Sequence, residues 1–168
     1  MEPELAKRIV SGLREAGIDF VSYLPESRLS QILPLLRAQR SFQLAPVASE
    51  SDAVSIAVGT TLAGKRSACY MEDTGIYVAC YQLIVVAMYM RVPMLLVLAH
   101  LGGFEDQRNS FHYAVAGTTL IPQLEALGIQ YKVVENGDGL ETKIKDAVRT
   151  MNSLRLPVAL IFTGEFTL

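Results

Sequence analysis

The chain is 168 residues long, with 51% hydrophobic and 19% charged residues and a mean hydropathy of +0.30. That composition excludes intrinsic disorder and low complexity and suits one domain, 1–168, with a sizeable core. Fifteen Lys and Arg against seventeen Asp and Glu leave a net charge of -2, which offers no overall attraction to nucleic acid or an anionic membrane surface. Cys69 and Cys80 are too few to staple a secreted domain, and the opening MEPELAKRIV lacks the basic head and apolar run of a signal peptide, so a cytoplasmic location is expected.

Leu5, Ile9, Val10 and Leu13 recur at helical spacing before Gly17, and residues 18–24 read as a strand. Pro25-Glu26-Ser27 then turns the chain into a second amphipathic helix carrying Leu29, Ile32, Leu33 and Leu36, where Pro34 predicts a kink or an early end. A short strand is expected over 42–47, a helix of small residues over 49–62 and a strand over 67–71. Residues 76–99 are almost wholly apolar and long enough to span a bilayer if helical. Arg91 and Pro93 interrupt the run, however, and the pattern shifts there to the strand-like Met94-Leu95-Leu96-Val97-Leu98. A buried helix over 76–90 followed by a buried strand over 94–99 is the better reading. Gln82 is the one strongly polar residue of that helix, so it should be covered on every side, with a subunit interface the favoured cover. A loop through Thr118, a helix over 120–127, a strand over 129–134, a helix over 140–151 and a strand over 158–162 complete the chain. Strands alternating with helices predict an α/β fold, a three-layer α/β/α sandwich with a six-stranded, mainly parallel sheet. Ligands of such sheets sit at the carboxyl ends of the strands, here in the loops Pro25 to Ser27, Ala48 to Glu50, Glu72 to Gly75, and His100 to Gly117.

Among these loops, Ser49-Glu50-Ser51-Asp52 has the form of a capping box, so Glu50 reads either as an acid in a helix's first turn or as a carboxylate presented to a ligand. Glu72 and Asp73 in Met71-Glu72-Asp73-Thr74-Gly75 can hold Mg²⁺ or simply favour the following helix N-terminus. The glycines of His100-Leu101-Gly102-Gly103-Phe104 permit close backbone approach. The sequence contains no G-x-G-x-x-G fingerprint, no G-x-x-x-x-G-K-[ST] loop and no G-x-S-x-G elbow, which disfavours nicotinamide cofactors, ATP and α/β-hydrolase chemistry. His100, His112 and the two cysteines have no metal-ligand spacing.

Taken in order, Leu24-Pro25, Ser49-Glu50-Ser51-Asp52-Ala53, Met71 to Gly75, Val92-Pro93-Met94-Leu95-Leu96 and His100-Leu101-Gly102-Gly103 resemble the pyrimidine-binding domain of thiamine diphosphate enzymes, nearest the sulfopyruvate and phosphonopyruvate decarboxylases. The likeness covers nearly the whole chain. It implies a two-chain decarboxylase of small 2-oxo acids in which Glu50 hydrogen-bonds N1' of the coenzyme's aminopyrimidine and so activates it. It also implies cofactor contacts at Thr74 and Gly75, substrate contacts at Pro25, His100 and Tyr113, and a catalytic role for His112. Thiamine diphosphate and Mg²⁺ are then gripped mainly by a separate diphosphate-binding subunit, with homodimer contacts besides. The Gly137-Asp138-Gly139 of this chain does not serve that purpose, because it lies in a turn and Asn152 follows Gly139 by only thirteen residues.

Two departures from the resemblance bear on the substrate. Relatives carry a Met-Gln-Asn-Ser-Gly-like turn where this chain has Glu72 and Asp73, whose charges would repel a sulfonate or phosphonate unless paired. Tyr113, with His112 beside it, takes the spacing from Gly117 at which relatives place Gln or His. The alternatives are a non-catalytic assembly or regulatory module of the same fold, and a subunit of a carboligating thiamine diphosphate enzyme.

Overall fold

A computed structural model describes residues 1–27, 29–104 and 111–166. Helix α1 (Pro3–Glu15) starts with proline in its first turn and buries Ala6, Ile9, Val10 and Leu13 along one face. It ends before Gly17, whose φ of 84° suits glycine. Then follow β1 (Phe20–Tyr23), α2 (Leu29–Ala38), β2 (Gln43–Pro46), α3 (Glu50–Leu62), β3 (Ser67–Glu72) and α4 (Gly75–Val78). After a π-helix over Gln82–Met88 come β4 (Leu95–Ala99), α5 (Phe111–Leu127), β5 (Gln130–Val134), α6 (Leu140–Leu154) and β6 (Val158–Phe162).

The six strands form one sheet in the order β2-β1-β3-β4-β6-β5, and every neighbouring pair is parallel. Strands β1, β4 and β6 are buried at every position, as a sheet covered on both faces requires. The edge strands β2 and β5 are exposed or half-buried except at Val134, the buried end of β5. One core packs α1, α2 and α6 against one face, and a second packs α3, α4, the π-helix and α5 against the other. This is the three-layer α/β/α sandwich expected from the strand and helix alternation. From β1 the chain passes to β2 on one side, whereas from β3 it passes to β4 on the other. The reversal falls between the carboxyl ends of β1 and β3, the usual ligand position in such sheets.

Three local expectations need correction. The helix expected over 76–90 is not a single α-helix: α4 stops at Val78 and the backbone passes into the seven-residue π-helix. The helix expected from 120 begins at Phe111. The hydroxyls of Thr118 and Thr119 bond back to the carbonyls of Ala114 and Val115, so these residues sit within the helix despite their low propensity. Pro34, the sixth of ten residues, does not end α2, which runs on to Ala38 with one amide donor missing from its interior. The apolar run 76–99 breaks at Arg91, whose φ of 54° ends the helical path. Among the described residues no helix is long and apolar enough to cross a membrane.

Candidate functional site at the strand ends

Strand β2 delivers the chain to Ser49, extended at φ -149° and ψ 146°, whose hydroxyl accepts from the Ser51 amide at 3.3 Å and caps α3. Glu50 is therefore the first residue of the helix. Buried Ala53, Val54, Ala57 and Val58 hold α3 on the sheet, and the Ser22 hydroxyl of β1 donates to the Ala53 carbonyl at 2.8 Å inside the core. Glu50 is consequently half-buried on rigid structure.

Its side chain lies over the start of α4. A Cβ added to Gly75 would stand 2.6 Å from Glu50 Cγ and 2.8 Å from Met71 Sδ, so the absence of a side chain there makes room for the carboxyl arm. Below it in β3 is Cys69, fully buried. Burial pushes this thiol up to about 12; Ser22 opposes the shift and the charge of Glu50 adds to it. Thr74, half-buried, precedes Gly75. Glu50, Thr74 and Gly75, expected to act on one ligand, thus meet where β2 and β3 end. Pro25 is exposed just beyond the neighbouring β1, and the next residue, Glu26, accepts a 2.9 Å bond from the Tyr70 hydroxyl of β3.

Asp73 points the other way. It is fully buried, with Oδ1 accepting from the Thr74 amide at 2.9 Å and Oδ2 from the Leu101 amide at 3.0 Å. His100 Nε2 lies 3.8 Å from Oδ2 and 2.9 Å from the Gly117 carbonyl oxygen. Because a carbonyl only accepts, the bond to Gly117 places the hydrogen on Nε2. His100, an expected substrate contact, therefore has one ring nitrogen engaged by α5, and its side chain is 11% exposed. A Cβ on Gly103 would collide with the His100 ring, and one on Gly102, at φ 75°, with the carbonyl of Tyr113. The 100–103 segment is thus pressed against the first turns of α5. Tyr113 is 39% exposed there, whereas the side chain of His112 lies outside the described residues.

No group of three or more His, Cys, Asp or Glu suited to a metal ion occurs among the described residues. The helical run after Gly75 has two unlike sides. Ile76, Ala79, Leu83 and Ala87 are buried, but Tyr77, Val78, Tyr81, Ile84, Val85, Tyr89 and Met90 are exposed, Tyr89 by 85%. The complete cover expected for this helix is therefore not supplied by its own chain. Sequence reasoning set Asp73 at a helix N-terminus but missed its bond to Leu101, and it missed the anchoring role of Ser22. An acid directly before a helix start and a lone hydroxyl inside an apolar strand were the signals available.

The family model described as thiamine pyrophosphate enzyme, N-terminal TPP binding domain, matches residues 3–120. The chain is 22% identical over 161 residues to the sulfopyruvate decarboxylase subunit alpha of Methanococcus maripaludis, covering 96% of this chain and 95% of that one. Against the subunit alpha of Methanocaldococcus jannaschii it is 26% identical over 158 residues, covering 94% and 92%. Among solved structures, the 2-oxoglutarate:ferredoxin oxidoreductase from Magnetococcus marinus superposes with a TM-score of 0.73 at 17% identity, over 96% of this chain and 29% of that chain. That likeness speaks to the fold alone.

Proposed function

This chain belongs to the thiamine pyrophosphate enzyme N-terminal TPP-binding domain family, and from that premise we propose that it is the pyrimidine-binding subunit of a two-chain thiamine diphosphate-dependent 2-oxo acid decarboxylase. One observation carries the reading: the carboxyl arm of Glu50 lies on the bare backbone of Gly75 at the strand ends where the sheet reverses. The relatives of near-equal length are named as alpha subunits of sulfopyruvate decarboxylase, which supports a separate partner chain and a sulfopyruvate-like acid.

The residues suit the coenzyme's pyrimidine end. Glu50 is a half-buried acid at a rigid helix start, and the exposed apolar flank of Tyr77, Val78 and Tyr81 begins two residues beyond Gly75. When bound, thiamine diphosphate supplies the electron sink that lets a 2-oxo acid lose carbon dioxide. Glu50 would share a proton with ring nitrogen N1', and covering by a partner would strengthen that bond by excluding water. Thr74 and Gly75 would border the ring, while the diphosphate and Mg²⁺ would be held mainly by the partner subunit. Tyr113, from the first turn of α5, would face the substrate with Pro25, and His112 keeps the catalytic role that the resemblance implies. Of the two acids that threatened an anionic substrate, Asp73 has its oxygens turned inward onto amides, so the repulsion is smaller than two free charges would give.

The test is Glu50→Gln in the enzyme assembled with its diphosphate-binding partner, coenzyme and Mg²⁺. Carbon dioxide release from sulfopyruvate is expected to fall by about 100-fold or more with the circular dichroism spectrum unchanged. Near-normal turnover would remove Glu50 from the chemistry and favour the non-catalytic module.

A further inference from the structure

Asp73 is the one fully buried carboxyl group among the described residues, and its two oxygens serve different segments. Oδ1 holds the Thr74 amide at the entrance of α4, and Oδ2 holds the Leu101 amide beyond β4. Its own amide donates to the Ala99 carbonyl at 3.0 Å, and its carbonyl accepts from the Ile76 amide at 3.1 Å. The residue therefore ties the ends of two neighbouring strands and the first turn of α4 into one unit. Gly75, two positions on, is the surface on which Glu50 rests. The His100 ring, 3.8 Å from Oδ2 and bonded to Gly117, extends the same brace to α5.

We propose that Asp73 is a positioning residue: by bridging Thr74 and Leu101 it sets the height of the Gly75 backbone and thereby the direction of the Glu50 carboxyl group toward the coenzyme. A carboxylate suits this task better than a carboxamide. Asn offers one acceptor oxygen and one donating nitrogen, so either Thr74 or Leu101 would have its N–H facing another donor. The inference rests on the reading of Glu50 given above.

The experiment pairs Asp73→Asn with Glu50→Gln, singly and together. In the chain alone, amide hydrogen exchange at Thr74 and Leu101 is expected to quicken by about tenfold or more in Asp73→Asn, with little change in the α1 and α6 core. In the assembled complex, thiamine diphosphate affinity is expected to weaken about tenfold. That loss should disappear in the double variant, which would bind as Glu50→Gln alone does. Equal losses with Glu50 and with Gln in its place, or unchanged exchange at both amides, would overturn the proposal. Asp73→Ser, which keeps one acceptor oxygen in place of two, carries the same expectations should Asp73→Asn not fold. A failed reading of Glu50 shows separately, as full turnover in Glu50→Gln, while the exchange measurement still reports on the brace.

Discussion

Glu50 Cγ and Gly75 approach so closely that a Cβ on the glycine would sit 2.6 Å from it. Real Cβ atoms do not tolerate such a contact, so the acid at the start of α3 and the glycine at the start of α4 are sterically matched. Neither residue explains its position alone. The pairing joins the β2 and β3 ends across the sheet reversal.

Gly75→Ala is expected to break this match. Overpacking against Glu50 and Met71 costs about 1–3 kcal/mol, partly offset by the better helix propensity of alanine, up to about 1 kcal/mol. The isolated chain should therefore melt a few degrees lower at most, while coenzyme affinity in the assembled enzyme falls about tenfold or more because Glu50 is displaced. Thermal unfolding and coenzyme titration check both. A variant that melts and binds like the parent would show that Glu50 does not depend on this contact.

Tyr89 is 85% exposed at the C-cap of the π-helix, where a positive charge suits the helix dipole and costs the isolated chain almost nothing, within about 0.5 kcal/mol. In a covered interface the same charge would be desolvated without a partner. Tyr89→Lys is expected to leave the thermal midpoint of the chain alone unchanged and to weaken assembly with the diphosphate-binding subunit about tenfold or more, measured by sedimentation. Undiminished assembly would place the partner on another face.

Arg8 joins α1 to α6 through Glu141, Nε to Oε1 at 2.6 Å and Nη2 to Oε2 at 2.8 Å, and the same guanidinium donates to the Gly137 carbonyl. Its hydrogen bonds hold the Glu141 carboxyl well below the usual carboxylate range, at about 2. A lowered folded-state value means that the pair stabilises fully above the ordinary carboxylate range and loses its effect as pH falls from there toward about 2. Both side chains are about one-third exposed, so solvent keeps the contribution modest. Urea unfolding at stepped pH should find Glu141→Gln less stable than the parent at neutral pH. The two stabilities should converge near the acid end, and parallel curves would contradict the assignment.

Much of the fold was legible because burial leaves plain marks in a parallel sheet. Leu95 to Ala99 and Val158 to Phe162 are continuous apolar runs that only a strand covered on both faces accommodates. The periodic faces of α1 and α6 were equally readable. The π-helix was not, since its residues are the same apolar types that an α-helix would use. The start of α5 was hidden by threonines whose hydroxyls are satisfied by carbonyls one turn back.

For the site, sequence alone determined that Glu50 follows a strand and opens a helix, because hydrophobic patterning and capping residues are local properties of the chain. It also marked the 100–103 glycines as points of close approach, while Gly75 entered only as a cofactor contact that the resemblance implies. What each of them approaches was decided only by the tertiary structure. Strand order brings β3 between β1 and β4, which sets Glu50 over Gly75 and turns Asp73 toward Leu101 and His100 toward Gly117. Those partners lie 17 to 28 positions apart where the hydrogen bonds are made, and no local pattern specifies which distant segment will satisfy a buried polar group.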